Sequence, residues 1–499
     1  MRALTAATIV LTFGCLAYGG VQDNTVDDDC DLPESLLEEI RAYKPTTDKI
    51  INSLTNGIFK GATYNELAKF VDKFGARLSG TQNLEDAIDY VLDLMKQNNL
   101  ENVHGEEVQV PHWERVSESA ELLEPRRAKI PVLGLGSSVS TPSDGIEAEV
   151  VVVRTFDELL QQNFSQAVKG KIVVFNEEYS TYGNTVRYRS QGASQASKLG
   201  AVAALVRSVT PYSMSTLHTG AQAYEDGVTK IPVASITKED ARMFQRLQDR
   251  GEKIVIRLNL QYVSYPDSPS RNSVGEIIGS SLPRKVVLVS GHIDSWDVGV
   301  GAMDDGGGAF ISWYSLVVLK ALGLRAKRTL RAVLWTAEEP GLVGWEGYNE
   351  AHLNELNDFT FVMESDEGTF TPLGIEYAAG KRGGCVIQEI AKLLAPINAT
   401  QTEASSGVGS DITSWTTSLI PGASLLNDNE KYFWFHHTMA DTMDVLDPDA
   451  LDKATALWAV VSYVIADLSI EFPRERDNLR DLSNSLLLKA MRDSIKNKH

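Results

Sequence analysis

Hydrophobic positions near the start of the chain recur at helical spacing. From Asp86 to Gln97, apolar residues lie three and four positions apart, which is typical of one buried helix face. The same texture predicts helices over much of residues 35 to 100, and the alternation from Val108 to Trp113 predicts a strand. This region is interpreted as the opening of an α/β unit.

The pattern changes between Ser119 and Asp267. Short β-rich runs occupy Glu147 to Arg154 and Lys171 to Phe175, and a helical stretch from Gly192 to Leu199 leads into the apolar run Ala201 to Val206. Glycine and serine separate these runs, as they do in loops. We predict a separate β-rich domain at residues 119–267, inserted into the first domain.

From Asn272 onward, apolar runs of strand length alternate with helical patterns. The predicted elements are the strand Lys285 to Ser290, the helix Gly307 to Leu319, the strand Thr329 to Trp335, a helix after Gly344, the strand Phe359 to Met363, and helices at Pro448 to Leu468 and Arg476 to Lys496. This alternation predicts an α/β fold with a mixed, mostly parallel sheet sandwiched by helices. A catalytic domain is thus expected at 20–118 and 268–499.

The N-terminus has the build of a secretory signal peptide. Arg2 precedes an apolar run from Leu4 to Leu16, and small residues follow up to Gly19. We expect residues 1–19 to be removed and the protein to be secreted, or to reach the lysosome by the same pathway. A later apolar stretch, Ala456 to Ile465, is too short to span a membrane.

Composition narrows the classes of partner. The 499 residues carry a formal charge of −20, which offers no basic surface to nucleic acid.

Beyond the signal peptide there are two cysteines, Cys30 and Cys385, whose pairing the sequence leaves open. Sequons at Asn163 and Asn398 are expected to be glycosylated in a secretory product.

Candidate metal ligands follow the predicted strands. His292 and Asp294 come after the first strand of the second half and, being two residues apart, point the same way in an extended chain. His292 would bind metal through one ring nitrogen while Asp294 accepts the proton on the other. Taken alone, the motif fits a buried His–Asp pair without metal equally well.

Adjacent acids lie in a glycine-rich turn that opens a helix. Asp304 suits a carboxylate shared between two cations, but Asp304 and Asp305 could instead cap the helix, Asp305 above all.

Another acidic pair, Glu338 and Glu339, follows the next predicted strand. There Glu339 would bind metal and Glu338 would take a proton from a metal-held water, the alternative being a solvated turn.

A third strand end and a histidine pair complete the candidates. Of Glu364 and Asp366, Asp366 is favoured as the ligand, and His436 and His437 follow a run of aromatic residues that could equally bury either one. Together, two histidines and three acids would form a nitrogen and oxygen shell for two zinc ions with room for a bridging water. A Gly-x-Ser-x-Gly elbow is missing, which disfavours a serine nucleophile.

Four sequence strings, in order, carry a resemblance to a known family. GHIDSWDVGVGAMDDGGGAF, LWTAEEPG, VMESDEGTF and FHHTMADTM resemble the co-catalytic two-zinc aminopeptidase and glutamate carboxypeptidase family, and the resemblance extends from about Phe74 to Asp467. Residues 119–267 resemble a protease-associated domain, which in relatives covers the active-site cleft. The resemblance therefore implies a zinc-peptidase fold with this domain inserted.

The resemblance also implies roles. Asp304 would bridge two zinc ions, with His292 and Asp366 on one ion, Glu339 and His437 on the other, and Glu338 as the general base. It selects His437 over His436. It further implies a metallo-exopeptidase that hydrolyses unblocked dipeptides by attack of a zinc-bridging water, and a homodimer.

Rival interpretations remain. A receptor-like ectodomain would lack the metal ligands, and a single-zinc glutaminyl cyclase would lack the inserted domain. Aminopeptidase and carboxypeptidase activities differ in the substrate terminus that they recognise, and the residues alone do not decide between them. His436, Tyr432 and His218 are candidates for binding that terminus.

Overall fold

Two eight-stranded sheets organise the part of the chain that the computed structural model describes, residues 30–417 and 420–474. The predicted signal peptide and the predicted helix Arg476 to Lys496 lie outside the described residues. Within them, no helix is long and apolar enough to cross a membrane.

The helices and strands are numbered in chain order. The helices are α1 (Glu34–Ala42), α2 (Lys44–Thr55), α3 (Ala62–Phe74), α4 (Gln82–Gln97), α5 (Phe156–Leu160), α6 (Gln162–Ala167), α7 (Tyr182–Lys198), α8 (Lys238–Asp249), α9 (Gly307–Ala321), α10 (Val343–Ala351), α11 (Gly380–Ala391), α12 (Thr413–Thr416), α13 (Tyr432–Phe435) and α14 (Pro448–Asp467). The strands are β1 (Glu101–Val110), β2 (Trp113–Glu124), β3 (Ala128–Ile130), β4 (Val132–Gly134), β5 (Ile146–Val153), β6 (Ile172–Phe175), β7 (Ala203–Arg207), β8 (Val233–Ile236), β9 (Val255–Ser264), β10 (Ser268–Ile277), β11 (Leu282–His292), β12 (Arg328–Trp335), β13 (Phe359–Glu364), β14 (Pro372–Ala378), β15 (Gln401–Ala404) and β16 (Gly422–Asn427).

The first sheet has the strand order β1-β10-β12-β11-β13-β16-β14-β15. Its four central strands, β12, β11, β13 and β16, are parallel to one another. Strand β10 is antiparallel to both of its neighbours, β1 and β12, and β14 is antiparallel to β16. The central strands are nearly continuous apolar runs because both faces of the sheet are covered by helices. The predicted mixed, mostly parallel sheet is thus confirmed.

Helices α9 and α14 pack on each other beside this sheet. Helix α9 is buried along almost its whole length, and its residues are apolar on all sides, as expected of an interior helix. The indole N–H of Trp458 donates to the hydroxyl of Ser312 at 3.0 Å, which satisfies a polar group inside the core. This packing fixes α9 and therefore the turn that precedes it.

The second sheet has the order β3-β2-β9-β5-β6-β7-β8-β4, with β5 to β8 parallel. Helices α7 and α8 cover opposite faces: Tyr188 packs in one apolar cluster and Phe244 in the other. Helix α8 was not predicted because its apolar residues are sparse, although Thr237 caps it by accepting from the N–H of Asp240 at 3.0 Å. Strand β2 continues through residue 119, so no break in secondary structure marks the predicted start of the inserted domain. The domain boundaries at 119 and 267 stay predictions.

A disulfide joins Cys30, just before α1, to Cys385 in α11. The two cysteines are 355 residues apart in sequence, so the bond ties the first described residue to the second half of the chain.

Candidate metal centre

The candidate site lies where parallel strands of the first sheet end. Strands β11, β12 and β13 are neighbours, and their last residues are His292, Trp335 and Glu364. Side chains that follow the carboxyl ends of parallel strands share one edge of the sheet, which is where such sheets bind ligands. All five predicted metal ligands and Glu338 meet at this edge or on the loops facing it.

His292 is fully buried, and its two ring nitrogens have different surroundings. Nδ1 lies 3.1 Å from the carbonyl oxygen of Asp294 and 3.5 Å from its carboxylate. Because a carbonyl only accepts, Nδ1 carries the hydrogen in this arrangement and Nε2 is free to bind a cation. Nε2 is 3.2 Å from Oδ1 of Asp304 and 3.2 Å from Oδ1 of Asp366.

The carboxylate of Asp304 lies between the two halves of the site. Its Oδ1 faces His292, and its Oδ2 is 3.3 Å from Nε2 of His437. Oδ2 of Asp304 and Oδ1 of Asp366 are buried without a hydrogen-bond donor. Buried oxygens left without donors are costly unless a cation satisfies them, so these residues fit a metal site.

The other half of the site contains Glu339 and His437. Oε2 of Glu339 is 2.9 Å from Nε2 of His437, while Nδ1 of His437 lies 3.1 Å from the carbonyl oxygen of Thr219. Two groups of residues could each hold a metal ion, one formed by His292, Asp304 and Asp366 and the other by Asp304, His436 and His437. Asp304 belongs to both.

His436 is a second histidine at this half. Its ring stacks on that of His437, with the centroids 3.6 Å apart, and its Nε2 is 3.6 Å from Oδ2 of Asp304. Burial and the neighbouring His437 lower the pKa of His436 well below its usual value, so the ring stays neutral. Its distance from Asp304 exceeds that of His437, and the choice of His437 as the ligand stays a prediction.

The charges at the site influence each other. Burial alone would lower the pKa values of His292 and His437, but Asp366 beside the first and Glu339 beside the second raise both well above the usual value. Burial would raise the pKa of Asp304, but the neighbouring rings of His292 and His437 lower it well below its usual value. Asp304 is therefore an ionised carboxylate, which a cation would stabilise.

Glu338 belongs to the same loop but takes a different place. Its side chain is 16% exposed and its Oε2 is 4.0 Å from Nε2 of His292, outside hydrogen-bonding distance. Burial raises the pKa of Glu338 well above its usual value, and Asp366 and Glu339 raise it further although His292 lowers it. A carboxylate of raised pKa is suited to taking up a proton at neutral pH.

Two further acids noted in the sequence, Asp305 and Glu364, accept hydrogen bonds from the backbone. Asp305 accepts from the backbone N–H of His292 at 3.0 Å and from that of Gly308 at 2.9 Å, which links the end of β11 to the start of α9. This is the capping alternative foreseen for Asp305. Glu364 is buried and accepts from the N–H of Ile412 at 3.1 Å.

Two residues that orient Asp304 were missed by the sequence analysis. The carboxylate of Asp441 accepts from the backbone N–H groups of Ala302, Met303 and Asp304, at 3.0, 2.7 and 3.2 Å. The fully buried guanidinium of Arg77 donates to the backbone carbonyls of Ile293, Val300 and Gly301, which precede this turn. Asp441 lies in the string FHHTMADTM and could have been found there, whereas no sequence signal marks Arg77.

The three candidates for binding a substrate terminus are all buried. The hydroxyl of Tyr432 donates to the carbonyl of Asp366 at 3.0 Å, and Nδ1 of His218 is 2.8 Å from the carbonyl of His436. All three therefore contact the candidate ligands or the loop that carries them. Their role in binding substrate stays a prediction.

Comparisons with known proteins identify the family. Residues 272–462 match peptidase family M28, and residues 126–244 match the PA domain. Carboxypeptidase Q of Homo sapiens is 52% identical over 441 residues, which cover 88% of this chain and 93% of that protein. The chain belongs to peptidase family M28. Carboxypeptidase Q of Xenopus laevis is likewise 52% identical over the same shares.

Solved structures agree with this membership. The peptidase M28 precursor from Shewanella amazonensis is 30% identical, covers 87% of this chain and 99% of its own, and superposes with a TM-score of 0.81. A zinc aminopeptidase from Bacillus subtilis, 19% identical with a TM-score of 0.63 over 84% of this chain and 98% of its own, shares the fold. The M28 peptidase fold with its protease-associated domain and the metallopeptidase class predicted from the sequence are confirmed.

Proposed function

We propose that this M28 peptidase is a zinc-dependent exopeptidase that hydrolyses unblocked dipeptides. The observation that carries the proposal is the single carboxylate of Asp304, which lies between Nε2 of His292 and Nε2 of His437 with one oxygen lacking a donor. Two histidine nitrogens and surrounding carboxylates are ligands that zinc prefers.

The residues divide into two sets around Asp304. His292 and Asp366 would hold one zinc ion, and Glu339 and His437 the other, with Asp304 shared. Zinc ions held by these residues would lower the pKa of a water molecule and stabilise negative charge on the substrate carbonyl oxygen. Asp294 supports both sets, because its carboxylate contacts Nδ1 of His292 and accepts from the N–H of Glu339 at 3.3 Å.

Glu338 is the general base in this proposal. As the water oxygen bonds to the peptide carbonyl carbon, Glu338 takes the proton that the water loses. It then gives a proton to the amine nitrogen as the C–N bond breaks, so the carboxylate is regenerated. The raised pKa of Glu338 supports this role, because a carboxylate of raised pKa holds a proton more readily than an ordinary one.

The proposed recognition of a carboxyl terminus rests on relatives. Carboxypeptidase Q, as named, acts at a carboxyl terminus, and the proposal carries this property to the present chain. His436, Tyr432 and His218 are proposed to shape the pocket for a substrate terminus. Aminopeptidase activity is the alternative within the same fold, and the test below separates the two.

We further propose that the protein is a secreted or lysosomal glycoprotein and a homodimer. The Cys30–Cys385 disulfide supports an oxidising compartment. Asn163 and Asn398, the acceptors of the two sequons, are both exposed. Intact-mass analysis before and after glycosidase treatment and light scattering of the purified protein test these two properties.

The decisive experiment measures hydrolysis of an unblocked dipeptide, its N-acetylated form and its C-amidated form, with zinc determined on the same sample. Cleavage of the unblocked dipeptide by zinc-loaded protein, abolished by a chelator and restored by zinc, is expected. Loss of cleavage on amidation alone supports carboxyl-terminal recognition, and loss on acetylation alone supports an aminopeptidase. Protein that stays zinc-free and inactive after reconstitution would overturn the proposal.

A further inference from the structure

The two candidate ligand histidines are oriented by different parts of the chain. Nδ1 of His292 is held by Asp294, two residues away on the same loop. Nδ1 of His437 is held by Thr219, which is 218 residues away in sequence and belongs to the predicted inserted domain. The second half of the site is therefore completed from outside the catalytic sheet.

The contact between Thr219 and His437 is reciprocal. The backbone N–H of Thr219 donates to the carbonyl of His437 at 3.0 Å, and the carbonyl of Thr219 lies 3.1 Å from Nδ1 of His437. Nη1 of Arg189, which only donates, also lies 3.4 Å from Nδ1 of His437. The Thr219 carbonyl is nearer, at 3.1 Å, and only accepts, so Nδ1 carries the hydrogen and the lone pair of His437 lies on Nε2, toward Asp304 and Glu339. One residue thus fixes both the backbone and the ring of His437, which adopts a positive φ of 61°.

Thr219 is itself firmly held within the inserted domain. It is fully buried, and its hydroxyl donates to the carbonyl of Gly134 at 2.8 Å. Arg189 in α7 donates to the Thr219 carbonyl at 3.4 Å and to the hydroxyl of Tyr182 at 2.8 Å. Next along the chain, the carbonyl of Gly220 accepts from the N–H of Gly136 at 3.0 Å. The carbonyl that faces His437 therefore has a fixed direction.

We propose that Thr219 is a positioning residue that sets the tautomer and ring orientation of His437, so that the inserted domain controls zinc retention at that half of the site. This inference rests on the proposed function, which makes His437 a zinc ligand. Partners that orient ligand histidines typically change metal affinity by about 10- to 100-fold when they are lost. The inserted domain then acts as part of the metal site as well as lying beside it.

Gly220 offers a way to turn the Thr219 carbonyl. Its φ of 140° is one that residues with a Cβ rarely adopt, and a Cβ there would lie 2.3 Å from Nη1 of Arg189. The Thr219 carbonyl belongs to the peptide plane before Gly220, so relief of this strain in Gly220→Ala rotates that carbonyl. Gly227→Ala is the matched control, because Gly227 also has a positive φ, 76°, but open space around its Cβ position.

Zinc retention against a chelator, measured on folded protein, provides the main readout. We expect Gly220→Ala to release zinc about 10- to 100-fold more readily than the wild type, and Gly227→Ala to match the wild type. In a His437→Ala background, Gly220→Ala should add no further loss, since the residue through which it acts is absent. Equal retention by the two glycine variants, or a loss that adds fully to that of His437→Ala, would overturn the inference.

A measurement on the unmodified protein covers the case in which Gly220→Ala fails to fold. The ring nitrogens of ¹⁵N-labelled histidines report which nitrogen carries hydrogen, and His437→Gln assigns the signal among the 8 histidines. Hydrogen on Nδ1 of His437 in zinc-loaded protein is expected, and hydrogen on Nε2 contradicts the inference. If the wild type takes up no zinc, or His437→Ala retains it as well as the wild type, the proposed function fails instead.

Discussion

Oε2 of Glu338 lies 4.0 Å from Nε2 of His292. His292 ends β11, and Glu338 lies on the loop that follows β12, the neighbouring parallel strand. The carboxylate is held there by its backbone, because the N–H of Glu338 donates to Oδ1 of Asp294 at 3.0 Å. Asp294 thereby orients a proposed metal ligand and the proposed general base together. Glu338 is close enough to serve a water molecule at the site without being needed to hold the metal.

Replacement of Glu338 should separate catalysis from metal binding. In Glu338→Gln we expect kcat to fall about 10²- to 10⁴-fold, because the amide cannot accept the proton of the attacking water. Zinc content should equal that of the wild type. Glu350→Gln, an exposed change on the neighbouring helix α10, is the control and should keep full activity. Loss of zinc together with activity in Glu338→Gln would instead identify Glu338 as a ligand.

The central strands could be predicted because they are buried on both faces. The runs expected at Lys285 to Ser290 and Thr329 to Trp335 lie within β11 and β12, whose apolar residues are nearly continuous. Helix α14 begins at Pro448 as expected and ends one residue early. The strands β14 to β16 were not predicted: β15 is short and mostly exposed, and β14 and β16, although largely buried, lack a continuous apolar run.

The candidate ligands could be predicted because each follows a strand or lies in a distinctive string. What the sequence could not show is which groups orient them. The contact between Thr219 and His437 joins two segments whose separation in sequence carries no pattern, and Arg77 gives no signal because its partners are backbone carbonyls. The pairing of Cys30 with Cys385 likewise depends on how α1 and α11 pack.

The disulfide is expected to stabilise the fold without taking part in catalysis. The double variant Cys30→Ser, Cys385→Ser should lose about 2 to 5 kcal/mol of unfolding free energy, because the bond restricts the unfolded chain over 355 residues. Thermal unfolding measures the loss, and reductant should lower the melting temperature of the wild type but leave that of the variant unchanged. Activity at 25 °C should persist, since neither α1 nor α11 supplies a candidate ligand.

Asp452 in α14 should make stability depend on pH. Burial raises the pKa of Asp452 to about 6, although the N–H of Gly61, which donates to it at 2.7 Å, lowers it. Since the pKa is higher in the folded protein than the unfolded value of 3.8, this group's contribution to stability falls as pH rises from about 4 through about 6.

Asp452→Asn removes that dependence. Relative to the wild type, the variant should gain about 1 kcal/mol more unfolding free energy at pH 7.5 than at pH 5. Denaturant unfolding at the two pH values measures the difference, with the exposed Asp428→Asn as control. A constant difference between variant and wild type across this range would contradict the raised pKa.

Asp441 should control how well the site holds metal although it is not a ligand. Its two carboxylate oxygens accept from three successive backbone N–H groups, those of Ala302, Met303 and Asp304. In Asp441→Asn one oxygen becomes an NH₂ group that faces a donor, so the turn carrying Asp304 loses part of its anchor. Because Asp304 is the carboxylate proposed to be shared by both halves of the site, binding of both proposed zinc ions should be affected.

We expect Asp441→Asn to retain zinc about 10- to 100-fold less tightly and to regain much of its activity when zinc is added in excess. Chelator competition and activity titrated with zinc measure these two effects on the same preparation. Asp444→Asn, three residues further along and exposed, is the matched control. If Asp441→Asn behaved like this control, the position of Asp304 would have to be set by Arg77, Asp305 and the packing of α9, and the hydrogen bonds from the turn to Asp441 would be dispensable.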